Sequence, residues 1–270
     1  MNELVTQPPF DRLWSGIDPY DWLDAVDGET FREVDGRRTF RFEVEGKCYF
    51  AKVHGGVSLR ETLKSAASLR RPEVDSRAEV LAIEALHRAG TGVPKVAAWG
   101  VRGERPRTRR SFIITEDVGT QRTLNDLCRM TPPIDPRSKR ILIGALARAT
   151  ARMHGAGVNH RDCYLVHVLC PPPGPPFDST DPALVFLDLH RAQVRPTVPL
   201  RWRAKDLGGL YFTSEPAHLT RTDRARFIAA YAGTSFKEAI KAGAALWRRV
   251  EKRRDALERE RARRGGRFGR

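Results

Sequence analysis

The chain lacks long apolar runs, and this limits the cellular locations that its sequence allows. In 270 residues no segment approaches the ~20 consecutive apolar residues that a membrane-spanning helix needs. The stretch from Met1 to Asp11 contains neither the basic part nor the apolar part of a secretory signal. We therefore expect a cytoplasmic protein whose contacts with a membrane are peripheral.

Cysteine is also scarce. Four scattered cysteines cannot build the disulfide framework of a small secreted domain, so a reducing compartment is expected. Two of them belong to the pairs His160-x-x-Cys163 and His167-x-x-Cys170, whose residue types also allow a zinc site. Because Arg161 and Asp162 interrupt the set and the two pairs lie close together, another interpretation of this segment is favoured.

Positive charge, in contrast, is abundant. The chain has 48 Lys and Arg residues against 33 Asp and Glu, a net charge of +15, and residues 248–270 alone carry +7. Such a surplus favours a polyanionic partner: nucleic acid, an anionic membrane surface or a phosphorylated substrate. Basic motifs with interleaved aromatic residues are absent from the sequence, so nucleic acid is not the expected partner. The basic amphipathic segment 57–71 is interpreted first as a solvated helix face and second as a contact for an anionic surface.

The pattern of apolar residues changes near residue 118. Alternating or continuous apolar stretches predict strands before it, and helical spacing predominates after it. We therefore predict an α+β, two-lobed fold with an antiparallel sheet in the N-lobe and a mostly helical C-lobe. The strands are expected at 30–34, 40–44, 47–53, 95–101 and 111–118, and the helices at 123–130, 137–154, 206–211 and 247–270. The predicted parts are the N-lobe (1–117, with a loosely packed leader at 1–29), the C-lobe (118–246) and a basic tail (247–270).

Two acidic residues carry the main prediction of chemistry. The triplet His160-Arg161-Asp162 follows a predicted helix, and a short apolar strand further on ends at Asp188. Kinase-like folds use such residues as the base that orients the attacking hydroxyl and as a ligand of Mg²⁺. His167 stands where those folds usually have a metal-binding Asn. Imidazole suits Mg²⁺ poorly, so His167 can contact a phosphate, bind a metal weakly or only pack.

The N-lobe contains candidates for nucleotide binding. Lys52 lies in a predicted strand. Glu79 lies on a predicted helix that Asp75 or Ser76 can cap. From the inward face of that helix Glu79 can pair with Lys52 and direct its ammonium to the phosphates of ATP. Glu116 and Val118, where the chain is expected to cross between the lobes, are predicted to hold adenine through their backbone. The turn at 34–39 has one glycine instead of a glycine-rich loop, and Arg37 and Arg38 are expected to compensate with charge.

These stretches resemble the bacterial lipopolysaccharide core heptose(I) kinases, from about Leu13 to about Tyr231. The segments that carry the resemblance are 49–54 (YFAKVH), 111–117 (SFIITED), 157–164 (GVNHRDCY), 187–193 (LDLHRAQ) and 201–212 (RWRAKDLGGLYF). The resemblance implies a protein-kinase-like fold and transfer of the γ-phosphoryl group of ATP to a hydroxyl of the first heptose of the inner core. It implies Asp162 as the base, Lys52 with Glu79 for ATP and Asp188 for Mg²⁺.

The acceptor implied by this resemblance also gives a reason for the positive charge. It lies in the cytoplasmic leaflet of the inner membrane beside acidic sugars and phosphates, and basic residues attract a protein to such a surface. An acidic protein partner is the other candidate. The expected acceptor-binding residues are Arg161, Arg191, Arg195, Arg201 and Arg203. His160 and Asp206 are expected to support the catalytic loop, Asp206 through hydrogen bonds, without contacting the substrate.

Two other functions share some of these features. A protein kinase that acts on Ser, Thr or Tyr would use the same machinery on a peptide. A non-catalytic basic module that binds polyanions would use the charge alone, and the acidic residues in kinase positions argue against it.

Overall fold

The computed structural model describes residues 2–34, 36–55, 76–104, 108–119, 121–172 and 174–265. The chain divides into two compact units. Unit 1 comprises Met1–Ile83 and Pro94–Gly119, and unit 2 comprises Glu84–Val93 and Thr120–Arg270. The predicted amphipathic segment 57–71 and the predicted cap Asp75 lie outside the described residues.

Both units combine strands and helices, and this confirms the expected α+β class. The strands are β1 (Glu3–Thr6), β2 (Glu29–Val34), β3 (Arg37–Val44), β4 (Lys47–His54), β5 (Val96–Arg102), β6 (Arg110–Glu116), β7 (Arg122–Thr123), β8 (Val158–Asn159), β9 (Val168–Cys170), β10 (Val185–Phe186) and β11 (Gln193–Val194). The α-helices are α1 (Phe10–Leu13), α2 (Pro19–Ala25), α3 (Arg77–Arg88), α4 (Leu124–Cys128), α5 (Pro136–Gly155), α6 (Leu200–Thr213), α7 (Arg221–Ala232) and α8 (Phe236–Arg263). Short 3-10 helices span Leu165–His167, Leu189–Arg191 and Glu215–Ala217.

Unit 1 is built on a six-stranded sheet with the order β1-β5-β6-β4-β3-β2, in which all neighbours are antiparallel. The five predicted strands are present, with ends no more than three residues from the predicted ones. Buried residues alternate along β4 and at Phe40 and Phe42 of β3, as expected for strands that bury one face. Strand β4 lies between β3 and β6, so both of its edges are hydrogen-bonded. This central position fixes the direction of every side chain on β4, including Lys52.

The start of the chain differs from the expected loosely packed leader. Residues 3–6 form β1, which adds an edge strand to the sheet beside β5. Phe10 and Leu23 are almost fully buried, and Trp14 packs edge-on against Phe112 of the sheet. The prediction was wrong because aromatic side chains bury a large apolar area when they pack edge to face, even among acidic residues and prolines.

Unit 2 is mostly helical, with two small antiparallel sheets of order β10-β9-β7 and β11-β8. Its core includes Ala147 of α5, Leu207 of α6 and Trp247 of α8. Helix α6 begins at Leu200, six residues before the predicted start at Asp206, so Arg201 and Arg203 are helical. Helix α8 spans Phe236–Arg263 and buries Leu246, Trp247, Val250 and Leu257, so the predicted basic tail begins within a longer helix that packs along one face.

Within the described residues, a search for helices long and apolar enough to cross a membrane finds no candidate.

Candidate active site

Lys52 and Glu79 form an ion pair inside unit 1. The Lys52 Nζ lies 2.7 Å from Glu79 Oε1, and the Glu79 side chain is 7% exposed. Lys52 is opposite Thr39 on β3 and Ile113 on β6, so its backbone is held from both sides. A charged hydrogen bond between partly buried groups is strong and directional. The pair therefore holds an ammonium at a fixed place on the sheet.

The end of β6 carries the two residues predicted to hold adenine. Glu116 pairs with Lys95 at 3.0 Å, and its backbone N–H donates to the Lys95 carbonyl at 2.8 Å. The following residue, Asp117, donates its N–H to the Cys48 carbonyl and accepts from Arg41 Nε at 2.7 Å. These contacts fix the segment that leads to Val118. Because the Glu116 side chain pairs with Lys95, the adenine contact predicted at this segment would use backbone atoms.

The turn between β2 and β3 holds the arginines expected to replace a glycine-rich loop. Gly36 has a φ of 73°, a conformation that glycine adopts at little cost. The Arg38 guanidinium lies 4.1 Å from the centre of the Phe40 ring, and its Nε donates to Thr30 Oγ1 at 3.4 Å. Arg38 is therefore held against the strand that carries it.

In unit 2 the chain reaches Asp162 through a tightly constrained turn. Gly157 has a φ of 76°, and a Cβ built on it would lie 1.8 Å from the Arg195 carbonyl oxygen. The Arg195 N–H donates back to the Gly157 carbonyl at 2.9 Å, where β8 meets β11. Arg161 has a φ of 72°, which is uncommon for a residue with a side chain. Such backbone persists only where surrounding contacts hold it.

Asp206 provides those contacts. Its side chain is fully buried, and its two oxygens accept the backbone N–H groups of His160 and Arg161, both at 2.8 Å. Asp206 lies on α6, which approaches the loop closely because Gly209 has no side chain. A Cβ on Gly209 would lie 2.5 Å from the Cys163 carbonyl oxygen. One carboxylate thus satisfies two consecutive amides and holds the backbone just before Asp162.

A second layer of hydrogen bonds lies behind Asp206. His154 Nε2 lies 3.3 Å from Asp206 Oδ2, and His154 Nδ1 lies 2.8 Å from the Tyr231 hydroxyl. Arg203 Nε donates to the same hydroxyl at 2.9 Å, so the hydroxyl can donate to His154. Burial raises the pKa of Tyr231, which keeps this hydroxyl protonated. The network connects α5, α6 and α7 to the loop that presents Asp162.

Asp162 itself faces several cations. Arg191 Nη1 donates to both carboxylate oxygens of Asp162, at 2.8 and 3.1 Å. Lys205 Nζ lies 3.9 Å from Asp162 Oδ1. The Arg161 guanidinium and the Lys205 ammonium lie 5.2 and 5.7 Å from the centre of the Trp202 ring. We call Arg161, Arg191 and Lys205 the cation cluster. Its charge exceeds that of Asp162, so the site is suited to an additional anion.

Asp188 follows β10 with a φ of 59° and a ψ of 51°. Its Oδ1 accepts from His190 Nδ1 at 2.7 Å, and its Oδ2 lies 3.8 Å from His167 Nε2. His167 Nδ1 donates to the Asp162 backbone carbonyl at 2.8 Å, so Nε2 is the ring nitrogen that faces the carboxylate. A carboxylate oxygen and an imidazole nitrogen at this distance can share a cation, and metal-binding histidines typically donate their other nitrogen to a carbonyl.

His160 lies between these two loops. Its Nε2 donates to the Leu187 carbonyl at 2.9 Å, one residue before Asp188, and its ring stacks on His167 with the centres 5.9 Å apart. Burial lowers the pKa of His160, so the ring is neutral at pH 7. His160 therefore connects the loop that carries Asp162 to the strand end that precedes Asp188.

The zinc interpretation finds no support in this arrangement. A search of the described residues for three or more His, Cys, Asp or Glu side chains that could hold a metal ion finds no such group. His160 donates its Nε2 to a carbonyl, and Cys170 Sγ points to the Pro171 carbonyl at 3.7 Å. Burial raises the pKa of Cys163, which opposes formation of the thiolate that zinc requires.

The remaining predicted arginines lie in different surroundings. Arg195 donates to the Gln193 side chain at 2.7 Å, and Arg201 is exposed at the start of α6, 5.4 Å from the centre of the Trp202 ring. Arg203 bonds Tyr231 in the network behind Asp206. Of the predicted acceptor-binding arginines, Arg191 thus contacts Asp162, and Arg161 and Arg201 lie near the Trp202 ring, as Lys205 does.

Four residues of this site were not predicted: His154, His190, Lys205 and Tyr231. His154 and Tyr231 are far apart in sequence, and no local pattern links a helix end to a tyrosine on another helix. Lys205 could have been found in the sequence, because it directly precedes Asp206, which was predicted to lie beside the catalytic loop. His190 follows Asp188 at a spacing that allows a local hydrogen bond.

Unit 2 also has a cavity of about 1550 Å³, lined by residues of α4, α5, α7 and α8 such as Leu124, Ile143 and Phe227. Asp162, Asp188 and Asp206 are absent from its described lining. This cavity is therefore separate from the residues predicted to react.

Comparison with known proteins identifies relatives over most of the chain. The model of the lipopolysaccharide kinase (Kdo/WaaP) family matches residues 21–231. Lipopolysaccharide core heptose(I) kinase WaaP of Pseudomonas aeruginosa is 41% identical over 258 residues, which cover 94% of this chain and 95% of that protein. The protein of the same name from Escherichia coli is 44% identical over 237 residues, covering 86% and 88%.

A solved structure of WaaP in complex with acyl carrier protein is also similar. The two structures have a TM-score of 0.79 and 39% sequence identity, and the match covers 94% of this chain and 99% of that chain. The resemblance found in the sequence motifs and the expected fold class are both confirmed.

Proposed function

The chain belongs to the lipopolysaccharide kinase (Kdo/WaaP) family and is therefore a kinase, and from this premise we propose that it transfers the γ-phosphoryl group of ATP to a hydroxyl of the first heptose of the lipopolysaccharide inner core. The single observation that carries this proposal is the setting of Asp162. A carboxylate on a loop held by Asp206, with cations around it, suits a base that orients a hydroxyl next to a negatively charged phosphoryl group. Two relatives more than 40% identical are named heptose(I) kinases, which supports the acceptor.

The residues of unit 1 would bind the nucleotide. In this proposal Lys52, held by Glu79, neutralises the phosphates of ATP, and the backbone at Glu116 and Val118 contacts the base. A lysine on a central strand that is fixed by one buried carboxylate cannot reorient freely. Its charge would therefore stay in place when the nucleotide arrives.

The residues around Asp188 fit Mg²⁺. This ion is usually held by one or two carboxylates together with phosphates and water, so Asp188 is a sufficient protein ligand. His167 would be a weak additional ligand through its Nε2, because imidazole is softer than the oxygen ligands that Mg²⁺ prefers. When bound, the ion would neutralise phosphate charge. Asp188 and His167 would keep it near the loop that ends at Asp162.

Because Arg203 bonds Tyr231 behind Asp206, the acceptor-binding residues of this proposal are Arg161, Arg191, Arg195 and Arg201. Their guanidinium groups suit the carboxylates and phosphates of an acidic core sugar region. Charge is also the reason to propose action at the cytoplasmic face of the inner membrane, since each basic residue near an anionic leaflet contributes about 1 kcal/mol of attraction. The net charge of +15 provides many such residues.

An ADP-release assay with defined acceptors tests this function. The protein should release ADP with core oligosaccharide that contains heptose, and at least tenfold less with core that ends before the first heptose. A panel of peptides with Ser, Thr and Tyr serves as the competing acceptor. Faster release with a peptide than with the heptose-containing core would favour a protein kinase and overturn the proposal.

An acidic protein partner is a second proposal, and it concerns binding. The related WaaP structure was solved in complex with acyl carrier protein, and α8 of this chain exposes Arg248, Arg249 and Lys252 on one stretch. We propose that this chain also binds an acyl carrier protein and that charge contributes to the contact. Reversal of these three residues to Glu should weaken capture of purified acyl carrier protein at least tenfold. Lys237→Glu, an exposed residue at the start of α8, is the control, and equal capture by all variants would contradict the role of this stretch.

A further inference from the structure

Lys205 is the member of the cation cluster that lies close to the Asp162 carboxylate without a hydrogen bond to it. Its Nζ lies 3.9 Å from Asp162 Oδ1, beyond hydrogen-bond distance, and 5.7 Å from the centre of the Trp202 ring. Within the described parts of the chain, this ammonium makes no hydrogen bond. The side chain is 22% exposed, so water reaches the ammonium from a limited direction.

The electrostatic surroundings disfavour this ammonium. Burial lowers the pKa of Lys205 most; the negative charges of Asp162 and Asp206 raise it, and the positive charges of Arg191 and Arg161 lower it. Arg191, in contrast, already donates to both oxygens of Asp162. A partly buried cation without a hydrogen-bond acceptor, beside two other cations, is stabilised when an anion binds.

The position of Asp162 indicates which anion would arrive. A base lies about 3 Å from the hydroxyl oxygen that it orients, and a hydroxyl poised to react lies about 3–3.5 Å from the phosphorus atom that it attacks. Lys205 reaches the same region from α6, on the Asp162 Oδ1 side. An equatorial oxygen of the phosphoryl group in transfer would therefore come within reach of the Lys205 ammonium.

We propose that Lys205 is a catalytic residue that binds the phosphoryl group during its transfer. The acceptor oxygen forms a bond to the γ-phosphorus, and the bond from that phosphorus to the β-phosphate oxygen breaks with its electron pair remaining on ADP. The hydroxyl proton passes to Asp162. The Lys205 ammonium donates to an equatorial oxygen of the phosphoryl group, whose charge is exposed while both bonds are partial. This proposal rests on the assignment of Asp162 under the proposed function.

Removal of a charged donor of this kind typically lowers kcat by about 10²–10³-fold. Lys205→Met should show this loss while KM for ATP changes less than about threefold, because the ammonium would act mainly on the group in transfer. Lys205→Arg should recover at least a tenth of the activity. Lys241→Met, an exposed lysine on α8, is the matched control and should keep full activity.

The direct test measures ADP affinity in full-length protein with and without aluminium fluoride, which mimics a phosphoryl group in transfer. Wild type and Lys241→Met should bind ADP at least tenfold more tightly when aluminium fluoride is present. Lys205→Met should lose this gain and keep its affinity for ADP alone. The same loss in an Asp162→Asn background would show that Lys205 acts on the phosphoryl group itself.

Two results would overturn the role of Lys205. One is an undiminished gain with aluminium fluoride in Lys205→Met. The other is an effect of Lys205→Met that disappears in the Asp162→Asn background, since Lys205 would then only support Asp162. The binding measurement needs no sugar acceptor. Failure of wild type to phosphorylate heptose would therefore contradict the proposed acceptor while the test of Lys205 continues to give an answer.

Discussion

The two charged clusters of this protein are built in opposite ways. In unit 1, Lys52 on a strand and Glu79 on a helix pair at 2.7 Å. In unit 2, Asp162 lies on a loop with Arg191 in contact and Lys205 at 3.9 Å. The first cluster depends on regular structure, whereas the second brings two cations to one carboxylate on a loop that the buried carboxylate of Asp206 holds. We therefore propose that Lys52 provides a fixed charge and that the cation cluster receives an anion.

The largest expected effect is at the carboxylate of the second cluster. Asp162→Asn should lower kcat by about 10³-fold, because the amide cannot accept the acceptor's proton. The fold should survive, since Asn has the same shape and Asp162 is partly exposed. ADP release with heptose-containing core measures the loss, and the thermal midpoint checks folding. Activity within tenfold of wild type would show that Asp162 is not the catalytic base.

The next effect tests the backbone that supports the second cluster. Gly157→Ala should destabilise the protein by about 3 kcal/mol or more, because its Cβ would overlap the Arg195 carbonyl at a positive φ. Urea unfolding measures the change. Gly155→Ala is the matched control, since a Cβ there meets no atom within 4 Å, and it should change stability by less than about 1 kcal/mol. Equal effects would show that the close approach at Gly157 is unimportant.

The first cluster should be sensitive to loss of one partner. Lys52→Met leaves the Glu79 carboxylate buried and unpaired, at a cost of about 2 kcal/mol in unfolding free energy. The double variant Lys52→Met with Glu79→Leu should regain most of that stability. Both variants should bind ADP poorly. A double variant less stable than the single one would contradict the stabilising role of the pair.

The smallest effect concerns the hydrogen bonds of Tyr231 in the network behind Asp206. Tyr231→Phe removes the hydroxyl between Arg203 and His154, and should cost about 1 kcal/mol of stability and less than a tenfold loss of kcat. Tyr211→Phe is the control, because its hydroxyl bonds an exposed arginine, Arg224. A larger loss of kcat in Tyr231→Phe would make this network part of the catalytic machinery.

The sequence predicted the parts of the molecule that local patterns control. Alternating or continuous apolar stretches predicted β2 to β6 of unit 1 but not β1. The His160-Arg161-Asp162 triplet and Asp188 pointed to two loops, which His160 and His167 connect in the structure. The aromatic packing of residues 3–25 was missed, because edge-to-face contacts between Phe10, Trp14 and Phe112 leave no periodic pattern. Local patterns also cannot reveal groups that meet only through tertiary structure, such as His154 with Tyr231, or Lys205 with Asp162.

The measurement that tests the central claim most directly is localisation of the transferred phosphate. Wild-type protein and Asp162→Asn are incubated with ATP and heptose-containing core oligosaccharide, and tandem mass spectrometry locates the added phosphate. We predict phosphate on the first heptose with wild type and about a thousandfold less product with Asp162→Asn. Phosphate on another sugar, or equal product from both proteins, would contradict the account.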